Sequence, residues 1–149
     1  MSFAGGLPNP ASFPVPEIVA GAAKLRYEAG PSALQYSTTE GYAPLREWIA
    51  RRYQQRQGMD VRPEDILITT GSQQALDLVG KILVNAGEPV VMEKPGYLGA
   101  IQAFTIFRPS WRSVPLEDDG PNLELLDRAL KRAKLFYAVT SFQNPSGLS

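Results

Sequence analysis

Apolar positions along the chain fall into short blocks punctuated by Gly and Pro, and the period of these blocks changes near residue 60. Residues 2–16 hold four prolines and two glycines and predict a loop. Pro16 to about Ala29 predicts a helix, with Pro in its first turn and Ile18, Ala22 and Leu25 near helical spacing; Gly30-Pro31 ends it. Leu34–Ser37 reads as a short extended piece and Thr38–Gly41 as a turn. A second helix starts near Ala43, where Leu45, Trp48, Ile49 and Tyr53 form an apolar stripe, and Gly58 closes it.

Beyond residue 60 the pattern alternates. Ile66–Thr70, rich in β-branched residues, predicts a buried strand, and Gly71-Ser72-Gln73-Gln74 opens a helix that runs to Asn85-Ala86-Gly87. Val90–Glu93 predicts a strand, Lys94-Pro95-Gly96 a turn and Tyr97–Phe107 a helix. Arg112–Pro115 is a strand, Asp118–Pro121 a surface turn, Leu123–Ala133 a helix, and Leu135–Val139 a last strand. Strands alternating with helices predict an α/β domain with a largely parallel sheet. The expected organisation is an N-terminal loop and helical segment over residues 1–60, then α/β structure over 61–149.

Composition narrows the chemistry. The chain has no Cys and no His, which removes disulfides, thiolate chemistry, Ser-His and Cys-His dyads and the usual metal sites. Acid–base work falls to Lys, Tyr, Asp, Glu or a cofactor. Fifteen basic residues balance fifteen acidic ones, so no global field favours nucleic acid or an anionic membrane. The start lacks a signal-peptide pattern, and no apolar run approaches the roughly 20 residues of a membrane span. A soluble, cytoplasmic protein is the expectation.

Ligands of open parallel sheets lie at the carboxyl ends of the strands, and three such ends carry candidate chemistry. At Thr69-Thr70-Gly71-Ser72-Gln73, free N–H groups of a first helical turn would favour an anion such as phosphate; by itself the motif reads first as a plain N-cap made by Ser72. At Glu93-Lys94-Pro95-Gly96-Tyr97, a turn delivers a flat ring able to stack on a planar group; alone, Tyr97 reads as a half-buried helix start. At Gln143-Asn144-Pro145-Ser146-Gly147, the Asn144 amide can donate to a phenolate or carboxylate oxygen; alone, the motif is an ordinary Asn-Pro turn.

In this order and spacing, the three blocks resemble the class I and II aminotransferases of fold type I. The likeness is strongest to the branch of 2-aminoadipate and kynurenine/aminoadipate aminotransferases. Ser2–Pro8, Leu34–Ser37, Glu40-Gly41-Tyr42 and Pro44-Leu45-Arg46 match that branch too. The resemblance implies a cofactor, pyridoxal 5'-phosphate, and amino-group transfer between an amino acid and a 2-oxo acid. It implies a homodimer whose large domain has a seven-stranded sheet. Ser72 and Gln73 would hold the cofactor phosphate, and Tyr97 would stack on the ring. Asn144 would donate to the ring's 3-oxygen and help hold the substrate carboxylate. Tyr36 would reach the phosphate bound in the second subunit, and Gly6 would leave room for substrate. Ser146 stands where the family usually has Thr. The family's Schiff-base lysine falls beyond the Asn-Pro block, so the 149 residues alone are expected to show no turnover and to be marginally stable or to associate. Of the five lysines, Lys94 is nearest the candidate pocket and reads as a solvated turn residue. The aminotransferase-like domains of MocR-type regulators share these blocks, which keeps a cofactor-sensing regulator open as the alternative.

Overall fold

The structure is a computed structural model that describes residues 7–149. The chain forms two compact units that meet in sequence between Ile66 and Leu67. In the first unit, Pro10–Ser12 form a 3-10 turn, followed by α1 (Val15–Ala29) and α2 (Ala43–Gln57). Pro sits at N1 or N2 of both helices, where its missing N–H costs nothing. Gly30 takes φ 51° and ends α1, but the chain continues as a 3-10 turn through Leu34, so the extended piece begins only at Gln35. Arg46 Nε donates to Pro63 O at 2.9 Å, and Arg62 forks onto Asp65 at 2.9 and 3.0 Å, fixing the loop that follows α2. The α2 stripe is not buried: Leu45, Trp48 and Tyr53 are all exposed, and Ala50 is the helix's buried residue among those described.

The second unit holds α3 (Gly71–Leu83), β1 (Pro89–Lys94), α4 (Leu98–Thr105), β2 (Ser110–Glu117), β3 (Gly120–Pro121), α5 (Leu123–Leu130) and β4 (Leu135–Tyr137). The sheet order is β3-β2-β1-β4. Strand β1 is central and parallel to both β2 and β4, with Val91 opposite Arg112 and Phe136. Its Val90, Val91 and Met92 are buried, as an uninterrupted apolar run in a two-sided parallel strand requires. One face is covered by α3 and α4 through Leu76, Met92, Ala100, Ala103 and Phe104. The Phe104 ring meets Tyr137 edge-on at 6.1 Å. Gly80 lets α3 approach the Phe107 ring so closely that a Cβ there would sit 2.3 Å from it. Arg112 Nη1 donates to Ala129 O and Lys131 O at 2.8 and 2.7 Å, tying the carboxyl end of α5 to β2.

Three local expectations need correction. Ile66–Thr70 is not a strand, and Leu67 is half exposed, because the segment has no hydrogen-bonded neighbour among the described residues. Asp118–Pro121 is not all turn: Gly120–Pro121 fold back as β3, antiparallel to Leu116-Glu117. The last helix stops at Leu130 rather than Ala133, because Lys131 leaves helical geometry and Arg132 takes φ 62°.

Candidate cofactor site

The site is built on turns at the carboxyl end of the sheet, starting with the amino end of α3. Gly71 adopts φ 76° and donates its N–H to Thr69 O at 3.0 Å. The side chain of Gln74 reaches back to accept from Thr70 N at 2.5 Å, so Gln74, and not Ser72, closes the helix start. Ser72 and Gln73 are exposed, and their N–H groups, like the Ser72 hydroxyl, find no partner among the described residues. Two free N–H groups, a free hydroxyl and the positive end of a helix dipole make a donor set that fits a phosphate.

After β1, residues 94–97 form a turn that presents Tyr97 as the N-cap of α4. The Tyr97 ring packs against the core cluster that contains Leu76, one turn along from Ser72. Its far edge lies against Gly99, where a Cβ would come 2.6 Å from both Cζ and Oη. Lys94 ends the strand exposed, as expected of a solvated turn residue. After β4, Phe142 takes φ 52° and is largely exposed, Gln143 is 2% exposed, and Asn144 turns out to solvent. Asn144 makes no side-chain hydrogen bond among the described residues, which leaves its amide free for a ligand.

Two residues that the sequence pattern did not single out join these turns. Gln143 Nε2 donates to Pro95 O at 2.9 Å, while its Oε1 accepts from Ser146 N at 2.9 Å and Ser146 Oγ at 2.6 Å. Glu93, 6% exposed, accepts from Val139 N at 3.2 Å and from Gln143 Nε2 at 3.4 Å. Ser146 therefore retains the hydroxyl that this contact uses. The only sequence signal for either residue was a polar side chain beside a predicted strand end. The Tyr137 hydroxyl is pushed above the usual tyrosine range by burial first, then by Tyr97 and Glu93. A cavity of about 290 Å³ is lined by Glu93, Phe136, Val139 and Gln143 among others, but not by Ser72, Tyr97 or Asn144.

Tyr36 lies in the first unit and is 98% exposed. Gly6 lies outside the described residues. Among the described residues no group of acidic side chains could hold a metal ion, and no helix is long and apolar enough to cross a membrane.

Residues 4–149 match the family described as aminotransferase class I and II. The chain belongs to that family. It is 52% identical to the 2-aminoadipate transaminase of Thermus thermophilus over 149 residues, which is 99% of this chain and 36% of that protein. The crystal structure of LysN, the α-aminoadipate aminotransferase of the same organism, complexed with N-(5'-phosphopyridoxyl)-L-leucine, superposes with a TM-score of 0.87 at 51% identity, covering 98% of this chain and 36% of that one. A kynurenine aminotransferase from Pyrococcus horikoshii gives 0.91 at 42% identity, with 98% and 38% covered. At lower similarity, a helix-turn-helix-type transcriptional regulator of Escherichia coli is 33% identical over 150 residues, 99% of this chain and 32% of that protein. The fold is thus part of a fold type I domain, and the chain spans about a third of the length of the relatives it matches.

Proposed function

We propose that this chain forms the cofactor seat of a pyridoxal-phosphate-dependent aminotransferase that moves an amino group between an amino acid and a 2-oxo acid. The observation that carries the reading is the family match over residues 4–149, and the presence of Ser72, Tyr97 and Asn144 at element ends of one compact unit supports it. Ser72 and Gln73 hold the phosphate with N–H and hydroxyl donors. Tyr97 covers one face of the ring and keeps water from it. Asn144 donates its amide to the ring's 3-oxygen and to the substrate carboxylate. The bound cofactor supplies the electron sink for the reaction. Gly6 leaves space for the substrate backbone. The working form is a cytoplasmic homodimer in which the exposed Tyr36 reaches the phosphate of the second copy.

Fluorescence titration of the full-length protein with pyridoxamine 5'-phosphate tests this reading. Binding is expected, weakened about tenfold by Ser72→Ala and by Tyr97→Ala, the loss of about one hydrogen bond or one stacked ring. Absence of binding in the unaltered protein would remove the reading. A regulatory sensor is the second reading, favoured by the similarity to the helix-turn-helix regulator. A protein that binds the cofactor but moves no amino group from any amino acid to a 2-oxo acid is the outcome that selects it.

A further inference from the structure

We infer that Gln143 is a positioning residue that sets where Asn144 and Tyr97 stand, by locking the turns after β1 and β4 to each other. The inference rests on the cofactor seat proposed above and concerns what holds it in shape.

The chemistry is specific to an amide. Gln143 is 2% exposed between Phe142 and Asn144, both exposed. A buried amide left unpaired is strongly unfavourable, so every donor and acceptor on it must be answered. Here they are. Nε2 faces Pro95 O and the Glu93 carboxylate, and Oε1 faces Ser146 N and Oγ. The Pro95 carbonyl can only accept, and the Ser146 N–H can only donate. The two ends of the amide are therefore not interchangeable, and its orientation follows from its partners.

The main chain of the same residue is bound as well. Gln143 N donates to Leu148 O at 2.8 Å, and Gly147 N donates to Gln143 O at 2.5 Å, closing the 143–148 turn on itself. Glu93 extends the link: its carboxylate accepts from Val139 N just past β4, at the strand's open end. Gln143 and Pro95 are 48 residues apart in sequence, and each is next to, or two residues from, a residue assigned to the ring: Asn144 follows Gln143, and Tyr97 lies two beyond Pro95. Displacing one turn must displace the other. Gln143 faces inward and acts through Asn144 and Tyr97.

The test uses the full-length protein loaded with pyridoxal 5'-phosphate and follows the bound cofactor's absorbance against pH, with pyridoxamine 5'-phosphate affinity as a second readout. Gln143→Glu keeps the shape but removes both donors and sets two carboxylates together. It is expected to move the pH midpoint of the absorbance change in the same direction as Asn144→Ala, by about half a unit or more, and to weaken pyridoxamine 5'-phosphate about tenfold. The exchange Glu93→Gln with Gln143→Glu restores a donor between the two side chains but leaves two groups unanswered, the Pro95 carbonyl and the Val139 N–H that shares the same Glu93 oxygen. Both readouts should return part of the way. A folded Gln143→Glu protein with an unshifted midpoint and unchanged affinity, alongside a shifted Asn144→Ala, overturns the inference and leaves the seat standing. If Gln143→Glu does not fold, Gln143→Met decides, because it fills much the same space without an amide: a midpoint shifted toward that of Asn144→Ala supports the inference, and an unshifted midpoint with unchanged affinity overturns it. If the unaltered protein binds neither cofactor form, the seat itself fails and the inference with it.

Discussion

A methyl group added at Gly99 would come 2.6 Å from the Cζ and Oη of Tyr97. Cζ and Oη are the far end of a side chain with two torsions, so a shift of the ring's tip relieves the contact at little cost, whereas a larger swing would take the ring off the core cluster it packs against. Alanine also favours a helix over glycine, by about 1 kcal/mol in an interior and by less at this second helical position. Gly99→Ala is therefore expected to leave the melting temperature unchanged or slightly raised while weakening pyridoxamine 5'-phosphate several-fold. Calorimetry and fluorescence titration of one preparation separate the two effects, and a fall in stability with unchanged affinity would contradict the assignment of that ring to the cofactor. The places of Ser72, Gln73, Tyr97 and Asn144 at element ends were legible, because unpaired N–H groups and turn chemistry stand out in a sequence. Gln143, Glu93 and Gly99 were not. What matters at Gln143 and Glu93 is the group facing them across 46 to 50 residues, and at Gly99 the direction taken by the ring two residues before it; the pattern of apolar and polar positions records neither.

At the scale of elements, the strands that could be read were those with partners. Val90–Glu93 became β1 because both its edges are paired, whereas the equally strand-like Ile66–Thr70 has no described neighbour and stays irregular. Strand propensity describes a residue's fit to a ladder that must be supplied from elsewhere. The short hairpin at Gly120–Pro121 escaped for the opposite reason: turn-forming residues there complete a two-pair ladder. The entry to β1 gives a prediction at this scale. Glu88 accepts from Asn85 N at 2.8 Å and pairs with Lys134 at 3.2 Å, joining the end of α3 to the approach of β4. The Asn85 N–H first, and the Lys134 ammonium and Asn85 amide after it, hold the Glu88 carboxyl below its usual value. Because the folded form binds this proton less readily than the unfolded chain, the contribution is complete above about pH 4.3 and disappears as pH falls through the lower folded value. Denaturation followed from pH 6 to pH 3 should show Glu88→Gln flattening the acid decline. An unchanged slope would assign that decline to other carboxylates, of which Asp65, held low by its hydrogen bonds and charge pairing with Arg62, is the foremost.

The whole molecule leaves much apolar surface open. Leu34 and Tyr27 are each 92% exposed, and α1 buries none of its residues. Val15, Ile18, Val19 and Leu25 of the same helix are exposed as well, and apolar side chains exposed in this number favour contacts with other protein. The 149-residue chain produced alone is expected to associate, and its unfolding midpoint should rise with concentration. Sedimentation equilibrium showing a monomer with a sharp, concentration-independent transition would contradict this. The buried link between Glu93 and Gln143 has a further consequence for anyone who wishes to redesign the protein. The groups assigned to the ligand are on the outside or nearly so, where one letter can be rewritten without disturbing its neighbours. Their coordinates are stored one layer down, in an acid and an amide that answer each other. Transplanting the surface residues onto another scaffold would carry over the reagents without the jig that holds them. Transplanting positions 93 and 143 with them would carry over the spacing.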